Sequence, residues 1–278
     1  MKDYQLGLYE KAMPPDIGWL ERLMAAKQAG FDFVELSIDE TGERQARLDW
    51  TADQRMMLLN TAQAARMPIR TMCLSGHRKY PLGSRDPAVR EKGMELMEKA
   101  VVLACDLGIR IIQLAGYDVY YEQGDEETRA YFLENLKKCA QMASAAGVLM
   151  GFETMETPFM DTIGKAMDYV RKVGSPYLGV YPDLGNLTNA ARLYGLSVEG
   201  EIDLGHGHIV AMHLKETQEG QYRDMRFGQG KVDFAGGVAR ARAQGVNYFV
   251  AECWYHGEPD WQASIGEANR FLRGFFKP

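Results

Sequence analysis

The chain has 278 residues, 46% hydrophobic and 25% charged, an ordinary globular composition with material for a substantial core. A formal net charge of -6 argues against a nucleic-acid surface, but it leaves room for the local basic cluster that a phosphorylated small molecule needs. The four cysteines, Cys73, Cys105, Cys139 and Cys253, form no CxxC pair and read as buried thiols in a reducing compartment, not as a disulfide framework or zinc knuckle.

Residues 4–9 are a short apolar strand that stops at Glu10 and Lys11, with Pro14 and Pro15 as punctuation. Ile17, Leu20, Leu23 and Met24 recur at helical spacing and predict a helix over 17–28, ended by Gly30. FDFVELS, 31–37, alternates as a strand and stops in a charged loop, 38–47. A helix over 51–66 follows, with Thr51 or Asp53 near its N-cap, then a strand at 69–74 and the basic loop His77, Arg78, Lys79. The long helix 87–107 has Pro87 in its first turn after Asp86 and Gly108 at its close. RIIQLA, 110–115, is a strand leading into an aromatic loop, and a helix over 125–146 precedes the fifth strand, 148–153. A helix over 161–173 begins at the capping acid Asp161, and YLGVYPD, 177–183, is the sixth strand. Residues 188–207 are weakly patterned and read as two short helices. The seventh strand is 209–213, and a glycine-rich loop at 220–230 leads to a helix over 234–244. The eighth strand is 247–253 and a last helix covers 265–276. Eight strand-to-helix units at near-even spacing, with no linker, predict a single (β/α)8 TIM barrel domain over 1–278. A doubly wound sheet would show a glycine fingerprint after its first strand, and GLYEKAMP is not one.

A barrel of this kind keeps its chemistry at the C-terminal strand ends. Those ends carry Glu35, Glu153, Asp183, His213 and Glu252, the last four on consecutive strands and so neighbours around one rim. Any one of these residues alone is equally well a cap or a solvated polar end. Three carboxylates and an imidazole around one mouth cannot all be buried ionised without a counter-charge. One divalent cation, Mn, Zn, Co or Mg, is therefore expected on Glu153, Asp183, His213 and Glu252. Strand side chains repeat every second residue, so Lys215 follows His213 into the mouth, where it suits an anionic substrate group or is simply a solvated loop lysine. Arg223, in QYRDMRFGQG, sits in a glycine-flanked loop able to fold over the mouth. His206 and His208 stand too early on their strand to be ligands, and Glu156 reads as a loop acid.

GFETMETPFM, YPDLGNL, HIVAMHLKET, RFGQGKVDF, AECW, MCLSGHRKYPLGSRDP and IQLAGYDVYYE resemble the L-ribulose-5-phosphate (L-xylulose-5-phosphate) 3-epimerases of the xylose-isomerase-like barrel superfamily. The resemblance runs from about residue 4 to residue 270. LDWTADQR, SGHRKYPLGS and LAGYDVYYE are similar to the phosphosugar branch more than to the free-sugar epimerases of D-tagatose and D-allulose. It implies a xylose-isomerase-like barrel whose metal ligands are the same four rim residues. It also implies that Glu153 and Glu252 are the acid/base pair on opposite faces of the sugar, and that Arg223 contacts substrate oxygens. Lys215, Asn186 and the loop holding His77 are the implied candidates for the phosphate. The implied reaction interconverts L-ribulose 5-phosphate and L-xylulose 5-phosphate by moving the C3 proton through a cis-enediolate. General acid–base help is worth only ~10²–10⁴-fold. Accelerations of at least ~10⁶ call for a metal's electrostatic contribution as well.

Two positions depart from the family pattern: Gln229 gives FGQG where FGEG is usual, and Arg226 stands where proline is common. Both bear on sugar preference. A free-ketose 3-epimerase or a ketose–aldose isomerase on the same scaffold is the alternative. A non-catalytic sugar-binding barrel is disfavoured by the intact Glu153 and Glu252. A multi-zinc endonuclease would need more than the five histidines present. The expected partner is a small phosphorylated ketose, without nucleic acid or membrane, and a homo-oligomer, a dimer, is left open. No stretch reaches the ~18 apolar residues of a membrane span, and the N-terminus has no long apolar run, so a cytoplasmic location is expected.

Overall fold

The structure is a computed structural model describing residues 3–276. The strands are β1 Gln5–Tyr9, β2 Phe33–Ile38, β3 Ile69–Leu74, β4 Ile111–Ala115, β5 Leu149–Glu153, β6 Leu178–Val180, β7 Met212–Leu214 and β8 Tyr248–Ala251. All pairings are parallel, in the order β6-β5-β4-β3-β2-β1-β8-β7. The seam between β6 and β7 is held by isolated parallel bridges, Val180 with Ile209 and Asp183 with His213. The sequence predicts a longer sixth strand, but Pro182 has no N–H to donate to a ladder. Its carbonyl instead accepts from the His213 N–H at 2.9 Å, which brings the two ends of the sheet together next to the site.

Helices follow in the expected rhythm: α1 Trp19–Gln28, the single turn α2 Gly42–Gln45, α3 Ala52–Ala65, α4 Pro87–Leu107, α5 Glu126–Ala146, α6 Ile163–Val173, α7 Leu184–Tyr194, α8 Val198–Leu204, α9 Phe234–Ala243 and α10 Trp261–Arg273. Thr51 caps α3 in a reciprocal capping box with Gln54, and Asp86 and Asp125 cap α4 and α5. Two readings are corrected. Thr162, not Asp161, caps α6, because Asp161 is engaged by Lys165 Nζ at 2.6 Å and the Tyr194 hydroxyl at 2.7 Å. In α1 the helical stripe is buried only in part: Leu23 is buried with Arg22, Ala25 and Ala26, while Leu20 is 56% exposed. The helix is rotated so that Arg22 reaches the carbonyls of Pro15 and Ile17.

Both faces of the sheet are covered, as parallel strands require, so β2 is buried along its whole length. Leu6, Leu8, Leu36 and Phe152 pack toward the helices, while Tyr9, Phe33, Cys73, Tyr181 and Val250 fill the barrel interior. Gly7 is required for this filling, since a Cβ there would stand 2.3 Å from the Phe33 ring. Glu35 is not at a strand end as expected. It lies mid-strand, next to the register shift between Val34 and Glu35, and β2 runs on to Ile38.

Candidate metal centre

Four elements deliver the rim residues. Glu153 ends β5, Asp183 caps the N-terminus of α7, His213 is the middle of β7 and Glu252 follows β8. Each offers one ligand atom, and these atoms all lie within 4.8 Å of one another. All four side chains are buried. Close packing of α7 on β7 depends on Gly185, where a Cβ would meet the Lys215 carbonyl at 2.7 Å. Thr154 ties β5 to α7: its hydroxyl donates to the Asp183 carbonyl at 3.1 Å and accepts the Asp183 N–H at 3.0 Å.

Each ligand candidate is oriented by neighbours below the rim. Gln113 on β4 donates its amide to Glu153 Oε2. His213 Nε2 lies 2.6 Å from Glu35 Oε1, and its Nδ1 lies 3.4 Å from Glu153 Oε1 and 3.2 Å from Glu252 Oε2. Asp183 Oδ1 accepts from the Asn186 N–H at 2.5 Å. Two buried oxygens, Asp183 Oδ2 and Glu252 Oε2, find no hydrogen-bond partner among the described residues.

The electrostatics are those of a crowded anionic site. Burial, then repulsion from Glu252, raises Glu153 above the usual carboxylate range. Burial also pushes Asp183 well up, with the attraction of Lys215 only partly offsetting it. Burial opposes the cationic form of His213, but Glu35 and Glu252 outweigh it and hold the ring well above its ordinary value. Burial works against the charge on Glu252 too, yet Lys215 and His213 hold it well below.

A family model described as xylose isomerase-like TIM barrel matches residues 23–275. The L-ribulose-5-phosphate 3-epimerase UlaE of Escherichia coli (strain ATCC 8739) is 44% identical over 273 residues, covering 98% of this chain and 95% of that protein. The chain belongs to the L-ribulose-5-phosphate 3-epimerase family, within the xylose isomerase-like barrels. Among solved structures, a D-psicose 3-epimerase with D-tagatose from Clostridium cellulolyticum H10 superposes with a TM-score of 0.83 at 16% identity, covering 99% of this chain and 100% of that one. An L-ribulose 3-epimerase superposes with a TM-score of 0.75 at 17% identity, covering 98% and 93%. At those identities the likeness carries the barrel alone. The family makes this chain an isomerase of the epimerase class.

The remaining expected site residues of the epimerase fall in different places. Lys215 is inside the rim, 4% exposed, with Nζ 3.3 Å from Asp183 Oδ1 and 3.7 Å from Glu252 Oε2. Asn186 is buried behind Asp183 and donates Nδ2 to the Thr154 carbonyl at 2.8 Å. Arg223 stands at the edge, 3.2 Å from the loop acid Glu156 and 5.9 Å from the Trp254 ring centre. His77 is not brought to the rim: its ring is buried against the Gly93 carbonyl, 3.1 Å away, and burial holds it down to about 4. The reading of the sequence missed Gln113, Thr71 and the interior role of Glu35. Gln113 and Glu35 carry a visible signal, since Gln113 is the one polar residue of β4 and Glu35 the one charged residue of β2. No helix among the described residues is long and apolar enough to cross a membrane.

Proposed function

We propose that the chain is a metal-dependent 3-epimerase of a pentulose 5-phosphate, interconverting L-ribulose 5-phosphate and L-xylulose 5-phosphate. The carrying observation is the convergence of Glu153, Asp183, His213 and Glu252, from four consecutive β/α units, within 4.8 Å of one another. The donor set suits one divalent ion: three carboxylates and one imidazole are acceptable to Mn, Zn, Co or Mg. The two buried oxygens without partners, on Asp183 and Glu252, are what such an ion would satisfy. When bound, the cation supplies positive charge that polarises the C2 carbonyl and offsets the charge building on its oxygen.

The protein's own groups move the proton. One glutamate removes the proton from C3, and the C–H electron pair becomes the C2–C3 double bond of a cis-enediolate. The other glutamate gives a proton to the opposite face of C3, the carbonyl reforms, and only the configuration at C3 has changed. In the metal-free site burial and Glu252 raise Glu153, while Lys215 and His213 hold Glu252 down. The chemistry needs one of the two as a carboxylate and the other carrying a proton, and either can take either part, which lets the reaction run in both directions. Gln113 holds Glu153 in place before substrate arrives, and Lys215 stands 3.7 Å from Glu252 as its nearby positive charge. Arg223, at the edge with its side chain 42% exposed, is the group free to meet substrate oxygens. Lys215 adds positive charge beneath it, Asn186 keeps Asp183 in place, and His77 has no open face for a phosphate.

The test is conversion of L-ribulose 5-phosphate in D2O, with and without chelator, beside D-tagatose and D-fructose. Epimerisation with deuterium entering at C3, lost on chelation and restored by Mn(II), is expected. A metal-replete protein that exchanges no C3 proton overturns the reading, and a preference for the free ketoses reassigns the substrate.

A further inference from the structure

We infer that Glu35 is a positioning residue for this site: its carboxylate takes the Nε2–H of His213 and thereby presents Nδ1 to Glu153, Asp183 and Glu252. Its consequence for a cation rests on the metal reading above, while its effect on the imidazole does not.

Glu35 has no access to a substrate, because it is 0% exposed in the middle of β2. Its two oxygens are divided between distinct tasks. Oε2 accepts the hydroxyls of Thr71 at 2.7 Å and Tyr181 at 2.8 Å, which fixes the plane of the carboxyl group. Oε1 is left for the imidazole, 2.6 Å from Nε2. A neutral imidazole carries one N–H, and the hydrogen bond made by one nitrogen decides what the other can do. With the proton kept at Nε2, the lone pair of Nδ1 points at the rim, where Glu153 and Glu252 oxygens lie 3.4 and 3.2 Å away. The ring cannot turn over easily. Tyr181 packs edge-on against it with centroids 4.9 Å apart, and the tilted ring of Tyr9 flanks it at 6.2 Å. Thr71, Glu35, Tyr181 and His213 come from four strands, so the device exists only in the closed barrel. A carboxylate behind a ligating histidine typically governs metal affinity by ~10–100-fold.

Metal-free protein, unmodified and Glu35→Gln, is titrated calorimetrically with Mn(II), and metal-free melting temperatures are recorded in parallel. Glu35→Gln keeps the shape and an acceptor but removes the charge, so ~10–100-fold weaker binding at unchanged stoichiometry is expected. Equal affinity overturns the role toward the cation. The unmodified protein decides the orientation even where the variant does not fold. Long-range proton–nitrogen NMR of the histidine rings should show the neutral His213 ring with its proton on Nε2 and none on Nδ1. A neutral ring with its proton on Nδ1 overturns the inference. Absence of Mn(II) and Zn(II) binding by the unmodified protein sinks the metal reading instead and leaves the ring measurement to decide Glu35 by itself.

Discussion

Glu10 and Glu153 are both buried carboxylates at the C-terminal ends of strands, and they differ in how many donors surround them. Glu10 is saturated. Arg47 Nη1 reaches both its oxygens at 2.8 Å, the Ser37 N–H donates at 2.9 Å, Arg44 Nε lies at 3.3 Å and Arg22 Nη1 at 4.0 Å. Trp19 covers the guanidinium groups of Arg22 and Arg47 at 5.5 and 5.2 Å. Around Glu153 the balance is reversed. Four carboxylates, counting Glu35, share His213 and Lys215, and two of their oxygens lack hydrogen bonds. A carboxylate supplied with every donor it can use is finished as structure. One that is left short of donors has lone pairs available for a cation or a proton.

Glu153→Gln and Arg47→Met separate these roles. Glu153→Gln should lower kcat by ~10²–10⁴-fold, the range of a lost general acid or base. Its fold should survive, because burial and Glu252 already disfavour the charge that the substitution removes. Full turnover in this variant, measured on the phosphoketose, would end the assignment of Glu153. The Glu10 cluster should respond the other way. Arg47→Met leaves a buried carboxylate with its main partner gone, at a cost of about 3–5 kcal/mol. Urea unfolding should show that loss while kcat of the folded fraction stays within about twofold. A stability change under ~1 kcal/mol would mean that Arg44 and Arg22 suffice.

His77 is a third case, a buried titratable group with neither surplus nor shortage of charge. Burial lowers it to about 4, against an ordinary value near 6.5. The unfolded chain therefore binds a proton that the folded one refuses. Stability from this group is complete above about pH 6.5 and is lost as pH falls toward 4, by about 3 kcal/mol at most. His77→Gln keeps a donor for the Gly93 carbonyl and should flatten that part of the melting temperature's pH dependence. An unchanged slope would show that other groups cause it. The expectation that His77 meets a phosphate predicts instead a rise in KM with no change in slope.

How much of this was legible in the chain follows from what each residue depends on. The barrel, the helix caps at Thr51 and Asp86, and the four rim residues depend on local period and on where strands stop, and both are written in adjacent residues. Asp183 reached the rim by another route than expected, as the cap of α7 beyond Pro182. Glu35 was misplaced because the end of β2 is set by its pairing with β3 and not by its own residues. Lys215 and Asn186 were expected to face substrate. Lys215 is turned to Asp183 and the Asn186 amide to the Thr154 carbonyl, both from a neighbouring strand end, and no pattern along one strand encodes that. Leu20 on α1 is exposed because a buried arginine, not an apolar stripe, sets the helix rotation.

The smallest effect belongs to the pair at the edge, where solvent competes with every contact. Arg223 and Glu156 meet at 3.2 Å, but the arginine side chain is 42% exposed and the glutamate 20%. Exposed pairs of this kind are worth ~0–1 kcal/mol. Glu156→Gln should therefore leave unfolding within about 1 kcal/mol of the parent and change KM by no more than about fivefold. The sign of the KM change is informative. Released from Glu156, Arg223 is held only by its packing near Trp254 and is freer to meet an anionic substrate, so KM should fall and the fall should shrink as salt is raised. A rise in KM would instead show that Glu156 aims the arginine, making the edge a small copy of the Glu10 cluster and not an extension of the donor-poor rim.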